Sequence, residues 1–264
     1  MLKLNKLNYH SNEANFDYMS RGQYKGFAYE CEAKEMAKLK REWVDPPFLP
    51  FLIGQYVHSF NDNTRSDFIA NHPEMFKRDL SLKSEYIGAD NMINCLQNDE
   101  FAMYCLEGEK EKIITFEMFG APWKIMLDVQ NNSRRRIVDL KTTKSITDKV
   151  WDEETRKKVS FVEAYSYPLQ MAIYSEGERI SEGREPGDYS EFLIVAVSKE
   201  KYPDKAIINM TDNARIITEL AQVEANVPRI LAVKAGEVEP IRCENCDYCK
   251  STKMLSGAIH YSEL

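Results

Sequence analysis

A mixed β-sheet flanked by helices, an α/β fold, is what this sequence predicts. Three observations carry the prediction. The hydrophobic period changes from helical to alternating after Gly108, three short strand-like runs follow with turn residues between them, and the chain then alternates helix, strand pair and helix. Apolar faces in that order bury one another when helices pack on both sides of a sheet.

The elements follow from local pattern. Ser20 is placed to cap a helix reaching Trp43, with Phe27, Cys31, Met36 and Leu39 at roughly helical spacing. Pro46, Pro47 and Pro50 interrupt the chain, and a second helix carries Phe51, Leu52, Tyr56, Val57 and Phe60, with Gly54 and His58 on one face. Residues 61–83 read as loop and short helix, and 88–106 as one helix. Strands are expected over 112–119, 123–129 and 136–141, separated by Gly120-Ala121-Pro122 and Asn131-Asn132-Ser133. Residues 161–176 return to a helical pattern, 192–197 form a continuous apolar strand, and 206–210 a shorter partner. Thr211 or Asp212 caps a last helix ending near Ala235. No linker-like tract divides the 264 residues, so one domain is expected over 1–264, with a helical part to about 107, a core over about 108–235 and a cysteine segment over about 236–264.

Composition narrows the classes. No apolar run approaches the roughly 20 residues of a membrane span, and the opening Met1-Leu2-Lys3-Leu4-Asn5-Lys6 lacks a signal-peptide core. Of six cysteines, three cluster near the C-terminus, which fits metal ligation in a reducing compartment; a cytoplasmic protein without membrane contact is the expectation. The net charge of −7 argues against a broad basic surface for nucleic acid. Basic patches at Arg134-Arg135-Arg136, Arg156-Lys157-Lys158 and Lys199/Lys201/Lys205 each read first as solvated loops, and Trp43, Trp123 and Trp151 as core or interface residues. His10 and His72 have no partner in the sequence pattern, and Cys95 and Cys105 read as ordinary apolar helix residues.

The chemistry concentrates in Ile125-Met126-Leu127-Asp128 and Val138-Asp139-Leu140-Lys141-Thr142-Thr143. Asp128 and Asp139 lie at the ends of adjacent antiparallel strands and face one another, and Lys141, two residues on, shares the face of Asp139. Two hard oxygen ligands suit a divalent cation that activates water beside a phosphodiester. An ammonium there stabilises developing negative charge. His58 offers an imidazole as a further ligand. Gln170 and Tyr174, four apart on one helix face, offer neutral hydrogen-bonding groups. Cys243-Glu244-Asn245-Cys246-Asp247-Tyr248-Cys249 places three thiols at a spacing suited to a soft metal.

Gly-x-x-x-His, Asp, Asp-x-Lys and Gln-x-x-x-Tyr in this order resemble the PD-(D/E)XK nucleases of the RecB type. The segment from Tyr18 to Phe27 and the ending from Cys243 to Lys253 resemble phage and prophage exonucleases related to RecE (exonuclease VIII). Leu127 stands where a proline often precedes the first aspartate, and Asp139 where a glutamate is frequent; neither change removes a ligand. The resemblance implies a restriction-endonuclease-like core and a Mg²⁺- or Mn²⁺-dependent exonuclease hydrolysing double-stranded DNA ends, 5′→3′, in phage or prophage recombination. Asp128 and Asp139 would hold the metal with His58, Lys141 would position water, and Gln170 and Tyr174 would order the site. It implies a single-strand annealing protein as partner and allows a ring-shaped homo-oligomer. Relatives that bind a [4Fe–4S] cluster through one N-terminal and three C-terminal cysteines make Cys31 the candidate fourth ligand to Cys243, Cys246 and Cys249. Zn²⁺, with Cys31 or His260 completing the site, is the competing expectation. The alternative function is a catalytically silent DNA-binding protein on the same fold. A sugar- or nucleotide-directed phosphohydrolase is disfavoured by the lack of a Gly-rich phosphate loop.

Overall fold

The computed structural model describes residues 2–152, 155–258 and 260–263; Met1 of the opening segment and Leu264 of the cysteine segment lie outside them. The helices α1 (Asn12–Asp17) and α2 (Arg21–Lys25) open the chain, each capped by a serine: Ser11 accepts from the Ala14 N–H at 3.1 Å and Ser20 from that of Gln23 at 3.3 Å. The helix expected to reach Trp43 is broken. A π-helical turn over Gly26–Glu30 leads to Cys31 in extended conformation, and only then does α3 (Glu32–Leu39) begin. Gly26 lies against the Glu35 side chain, where an added Cβ would stand 2.2 Å from Cδ, so the chain doubles back tightly at this point.

α4 (Leu49–Asn61), α5 (Arg65–Asn71), α6 (Ser84–Gln97) and α7 (Glu100–Cys105) complete the helical part. α6 and α7 replace the single helix expected over 88–106, because the Asp99 carboxylate accepts from the Ala102 N–H at 2.9 Å and starts a new helix. The strands β1 (Glu109–Met118), β2 (Ala121–Asn131) and β3 (Arg136–Thr143) follow. A small hairpin, β4 (Val150–Asp152) with β5 (Lys157–Val159), was not expected from the sequence. Two helices also replace the one expected over 161–176: α8 (Phe161–Ala164) and α9 (Tyr167–Ser181). Pro168 cannot continue a helix but fits its first turn, and Ser166 at φ 56° makes the break. Arg21 holds this corner by donating to the carbonyls of Tyr165 and Ser166 at 2.7 and 2.8 Å. β6 (Glu191–Ser198), β7 (Lys205–Asn209), α10 (Asn213–Ala235) and α11 (Asp247–Ser251) end the chain.

The sheet runs β1-β2-β3-β6-β7, antiparallel except for β3 against β6. A parallel pair needs a crossover, here the hairpin, α8 and α9. Alternation along the strands feeds two cores. Trp123, Ile125, Leu127, Ile137, Phe192 and Ile194 pack with Leu169, Ala172 and Ile173 of α9 and Val223, Val227 and Ile230 of α10. On the opposite face Val129, Val138, Leu140, Leu193 and Val195 meet Ile53 and Val57 of α4 and Ile93 and Leu96 of α6. Trp123 is fully buried, in accord with a core role.

β2 and β3 pair over only three positions, Val129↔Val138, Gln130↔Ile137 and Asn131↔Arg136. Beyond them the strands fork. β3 pairs with β6 along its whole length, while the edge of β2 that it vacates is taken by Met19, whose N–H donates to the Pro122 carbonyl at 2.7 Å and whose carbonyl accepts from Lys124 N–H at 2.8 Å. The buried Lys124 ammonium then donates to the Tyr9 carbonyl at 2.5 Å and to Asn15 Oδ1 at 2.7 Å, fastening the N-terminal segment to the sheet.

This packing makes two predictions about stability. At Gly177 of α9 an added Cβ would lie 2.4 Å from Phe116 Cε1 and 2.9 Å from Ile125 Cδ1. Overpacking costs about 1–3 kcal/mol against about 1 kcal/mol gained in helix propensity, so Gly177→Ala lowers the denaturant midpoint; a raised midpoint would show that the Phe116 ring yields freely. Burial and the neighbouring Lys234 push Lys124 down to about 8 from 10.5. The unfolded chain keeps this proton up to 10.5 and the folded chain releases it above about 8, so Lys124 makes stability rise with pH across that window. Denaturation of wild type and Lys124→Met between pH 7 and about 10 should show a shallower rise in the variant, and equal slopes would contradict the assignment.

Candidate active site

The fork places the site. Continuing the β2–β3 register by one step sets Asp128 opposite Asp139, but the backbone pairing has ended there. Instead Asp128 Oδ2 accepts from the Leu140 N–H at 2.8 Å, so a side chain takes over the role of a strand carbonyl. β1 accommodates the same point with Glu111 at φ 51°, unpaired between Lys110↔Val129 and Lys112↔Leu127. α4 delivers His58 in its last turn, where the helix terminus favours a cation. The His58 Nδ1 lies 3.5 Å from Asp128 Oδ2, and Asn61, one turn on, donates to the Asp128 carbonyl at 3.3 Å.

Asp139 is the more enclosed carboxylate, 3% exposed. Its Oδ1 accepts from Gln170 Nε2 at 2.5 Å, and its Oδ2 is ion-paired with Lys141 Nζ at 2.6 Å. The Lys141 ammonium also sits 5.2 Å from the centre of the Tyr167 ring. Gln170 is in the first turn of α9, and Tyr174 one turn later lies within electrostatic range of both aspartates without hydrogen-bonding to either. The structure thus brings His58, Asp128, Asp139, Lys141, Gln170 and Tyr174 to one locus.

Electrostatics separate the two carboxylates. Burial raises the Asp128 carboxyl, but His58, Lys141 and the Leu140 N–H together hold it below its ordinary value. For Asp139 burial wins, assisted by the Asp128 charge and opposed by Lys141, and the group is raised. Burial would lower His58 and Lys141; Asp128 raises the former, and Asp139 with Asp128 the latter, so both end above their ordinary values. Lys141 is therefore a cation at neutral pH.

The donors suit a hard divalent cation. Asp139 Oδ2 is a buried carboxylate oxygen beside the Lys141 ammonium, and the Asp128 carboxylate faces the same fork, so the donor set is two hard oxygens and an imidazole. His58, Asp128 and Asp139 are less tightly gathered than the cysteines: among the described residues only the cysteine quartet brings three or more such donor atoms within 4.8 Å of one another.

That quartet is Cys31, Cys243, Cys246 and Cys249. The Cys31 and Cys249 sulfurs are 3.6 Å apart, and those of Cys243 and Cys249 4.0 Å. The C-terminal segment is fastened onto α3: Glu32 accepts from Arg229 at 2.7 and 2.8 Å and from the Ile241 N–H at 2.7 Å, and the Ala33 N–H donates to Ile241 O at 3.1 Å. Backbone N–H groups of Asn245 and Cys246 bring the Cys243 thiol down to about 6, whereas burial pushes Cys246 up to about 12. The spacing fits one tetrahedral cation, since two sulfurs at ~2.3 Å from a zinc stand about 3.8 Å apart. A [4Fe–4S] cube, with each sulfur on its own iron, requires them to spread. His260, the alternative fourth ligand, is outside the quartet and instead contacts Ser262 Oγ at 2.8 Å.

Sequence reasoning missed three neighbours of the site. Asp62, at the end of α4, is pushed up to about 6 by burial, Glu111 and Asp128. Its position four residues after His58 was the available signal. Glu111 had none, because its approach depends on the kink in β1. Tyr167, three residues before Gln170, was readable as part of the same helix face.

The family model described as a PDDEXK-like domain of unknown function (DUF3799) matches residues 20–252. The crystal structure of a "putative exonuclease" from Eubacterium rectale is 38% identical, with a TM-score of 0.91 over 100% of this chain and 98% of that one. A second structure, of SSO0001, is 14% identical with a TM-score of 0.28 over 82% of this chain and 90% of that one, too low to bear on the fold. No curated protein matches. With the five-stranded mixed sheet and its forked central strands, these similarities establish that the chain belongs to the PDDEXK-like family.

Proposed function

We propose that this protein is a metal-dependent DNA exonuclease that hydrolyses phosphodiester bonds from double-stranded ends. The observation that carries the reading is the pair of carboxylates at the strand fork with the Lys141 ammonium 2.6 Å from Asp139. The name of the Eubacterium rectale relative, identical at 38% of positions, supports it. The 5′→3′ polarity, the place in phage or prophage recombination and a single-strand annealing partner rest on the resemblance to RecE-type exonucleases alone.

Asp128 and Asp139 would hold Mg²⁺ or Mn²⁺, with His58 at the rim. The cation, when bound, supplies a Lewis acid that lowers the pKa of water and neutralises phosphate charge. Lys141 would position the attacking water or donate hydrogen bonds to the phosphoryl oxygens on which negative charge develops. Gln170 fixes the rotamer of Asp139, and His58 together with the Leu140 N–H fixes that of Asp128. Tyr167 covers one side of the ammonium and limits its hydration. Asp128→Asn, Asp139→Asn and Lys141→Ala should each lower hydrolysis of a linear duplex by about 10³-fold or more, the scale of losing one charge-stabilising group, with unchanged circular dichroism. Gln170→Ala, which acts through Asp139, should lose about 10–100-fold. Full activity in any of the first three would refute the roles.

The cysteine quartet we propose as a tetrathiolate metal centre, zinc or [4Fe–4S], that clasps α3 to the C-terminal segment. Metal analysis of the native protein should find zinc or iron bound at this centre, and Cys31→Ser should lose that metal and expose the segment after Ala235 to protease. Equal metal content in both proteins would remove Cys31 from the centre.

A further inference from the structure

The basic patches differ sharply in what surrounds them. Arg134, Arg135 and Arg136 are paired with Glu107, Asp188 and Glu191 at 2.8, 2.5 and 2.7 Å. Lys205 pairs with Asp99 at 2.9 Å, Lys199 donates to the Pro50 carbonyl at 3.1 Å, and Lys201 lies 5.4 Å over the Tyr202 ring. The third region is unlike these. A cavity of about 600 Å³ opens where β3 leaves the sheet, lined by Lys144, Lys149 and Lys158 together with Thr143, Ser145, Thr147 and Tyr165. Asp148 is the one acid among its lining residues, and none of the three lysines has a carboxylate within ion-pair distance among the described residues. By contrast, a smaller cavity of about 200 Å³ beside α9 is lined by Arg135, Glu178 and Arg184, whose charges are paired.

Aromatic rings connect this cavity to the catalytic lysine. Tyr165, 43% exposed, lines the cavity, and its ring lies 6.0 Å from that of Tyr167, which in turn is 5.2 Å from Lys141 Nζ. On the hairpin, Trp151 is directly opposite Lys158 in an antiparallel pair, so both side chains stand on the same face. Trp151 is 52% exposed, so of the core-or-interface reading the core half does not hold for it. Cations without acidic partners beside exposed rings are the combination that binds single strands, phosphates on the lysines and bases on the rings. The volume falls in the range of about 300–1,000 Å³ that takes organic ligands.

We infer that this cavity, with the cross-strand pair Trp151 and Lys158 beside it, binds the single-stranded flank of the DNA strand whose phosphate lies at Lys141. The inference rests on the nuclease reading and supplies its track for the strand. Both sides of it are testable with the intact chain, using a labelled oligothymidylate for binding in EDTA and a linear duplex for cleavage. Lys144→Ala/Lys149→Ala/Lys158→Ala should weaken oligothymidylate binding at least tenfold and reduce its salt slope by about 2, at about 0.7 for each phosphate no longer neutralised. Trp151→Ala should weaken it about fivefold or more. Wild-type affinity in both variants would overturn the inference. So would an equal loss in Lys40→Ala/Lys77→Ala/Arg78→Ala, which removes as many exposed charges outside the cavity. If the unmodified protein cleaves duplex without binding the single strand, the cavity assignment fails and the nuclease reading stands; if it neither binds nor cleaves, both fail.

Discussion

Everything at this site depends on the fork between β2 and β3. Antiparallel strands joined by a short turn normally stay paired, and here they part after Val129 and Val138. Parting costs backbone hydrogen bonds, and the chain replaces them with particular groups. Met19 takes the open edge of β2, β6 takes β3, and the Asp128 carboxylate accepts the Leu140 N–H. The two carboxylates emerge where strand pairing no longer constrains them, yet both remain on rigid strands. The N-terminal segment is therefore part of what holds the fork open, although it contributes none of the carboxylates.

Charge is distributed just as unevenly. The chain is acidic as a whole, but many of its acids hold arginines such as Arg136 and Arg229 in place. Among the described residues, Lys144, Lys149 and Lys158 beyond the end of β3 form no such pairs. A divalent cation held by Asp128 and Asp139 would further offset the local negative charge, so formal net charge is a poor guide to what this surface attracts.

Much of this was legible in the sequence, and the failures have physical causes. The strands, the apolar run over 192–197 and the meeting of Asp128, Asp139 and Lys141 followed from period and spacing, because each is a local pattern; that His58 and Gln170 join them was implied only by the family resemblance. Helix breaks were missed where a single residue decides them: Pro168 at a first turn, Asp99 as a cap, Gly26 against Glu35. The β4–β5 hairpin escaped because its strands, Val150–Asp152 and Lys157–Val159, are three residues long and too short to show alternation. Nor could sequence separate the paired patch at Arg134–Arg136 from Lys158, which has no ion pair among the described residues. The acids that neutralise the first, Glu107, Asp188 and Glu191, are 27 to 55 residues away along the chain.

The role proposed for the carboxylates at the fork is metal-dependent hydrolysis that starts from DNA ends. The most direct measurement is release of label from an end-labelled linear duplex with Mg²⁺, Mn²⁺ or EDTA, beside a covalently closed circle of the same sequence. Loss of label from linear DNA with either cation, none with EDTA, and an intact circle is the expected result. Binding of the duplex without cleavage under every condition would contradict it and leave the fold as a DNA-binding scaffold.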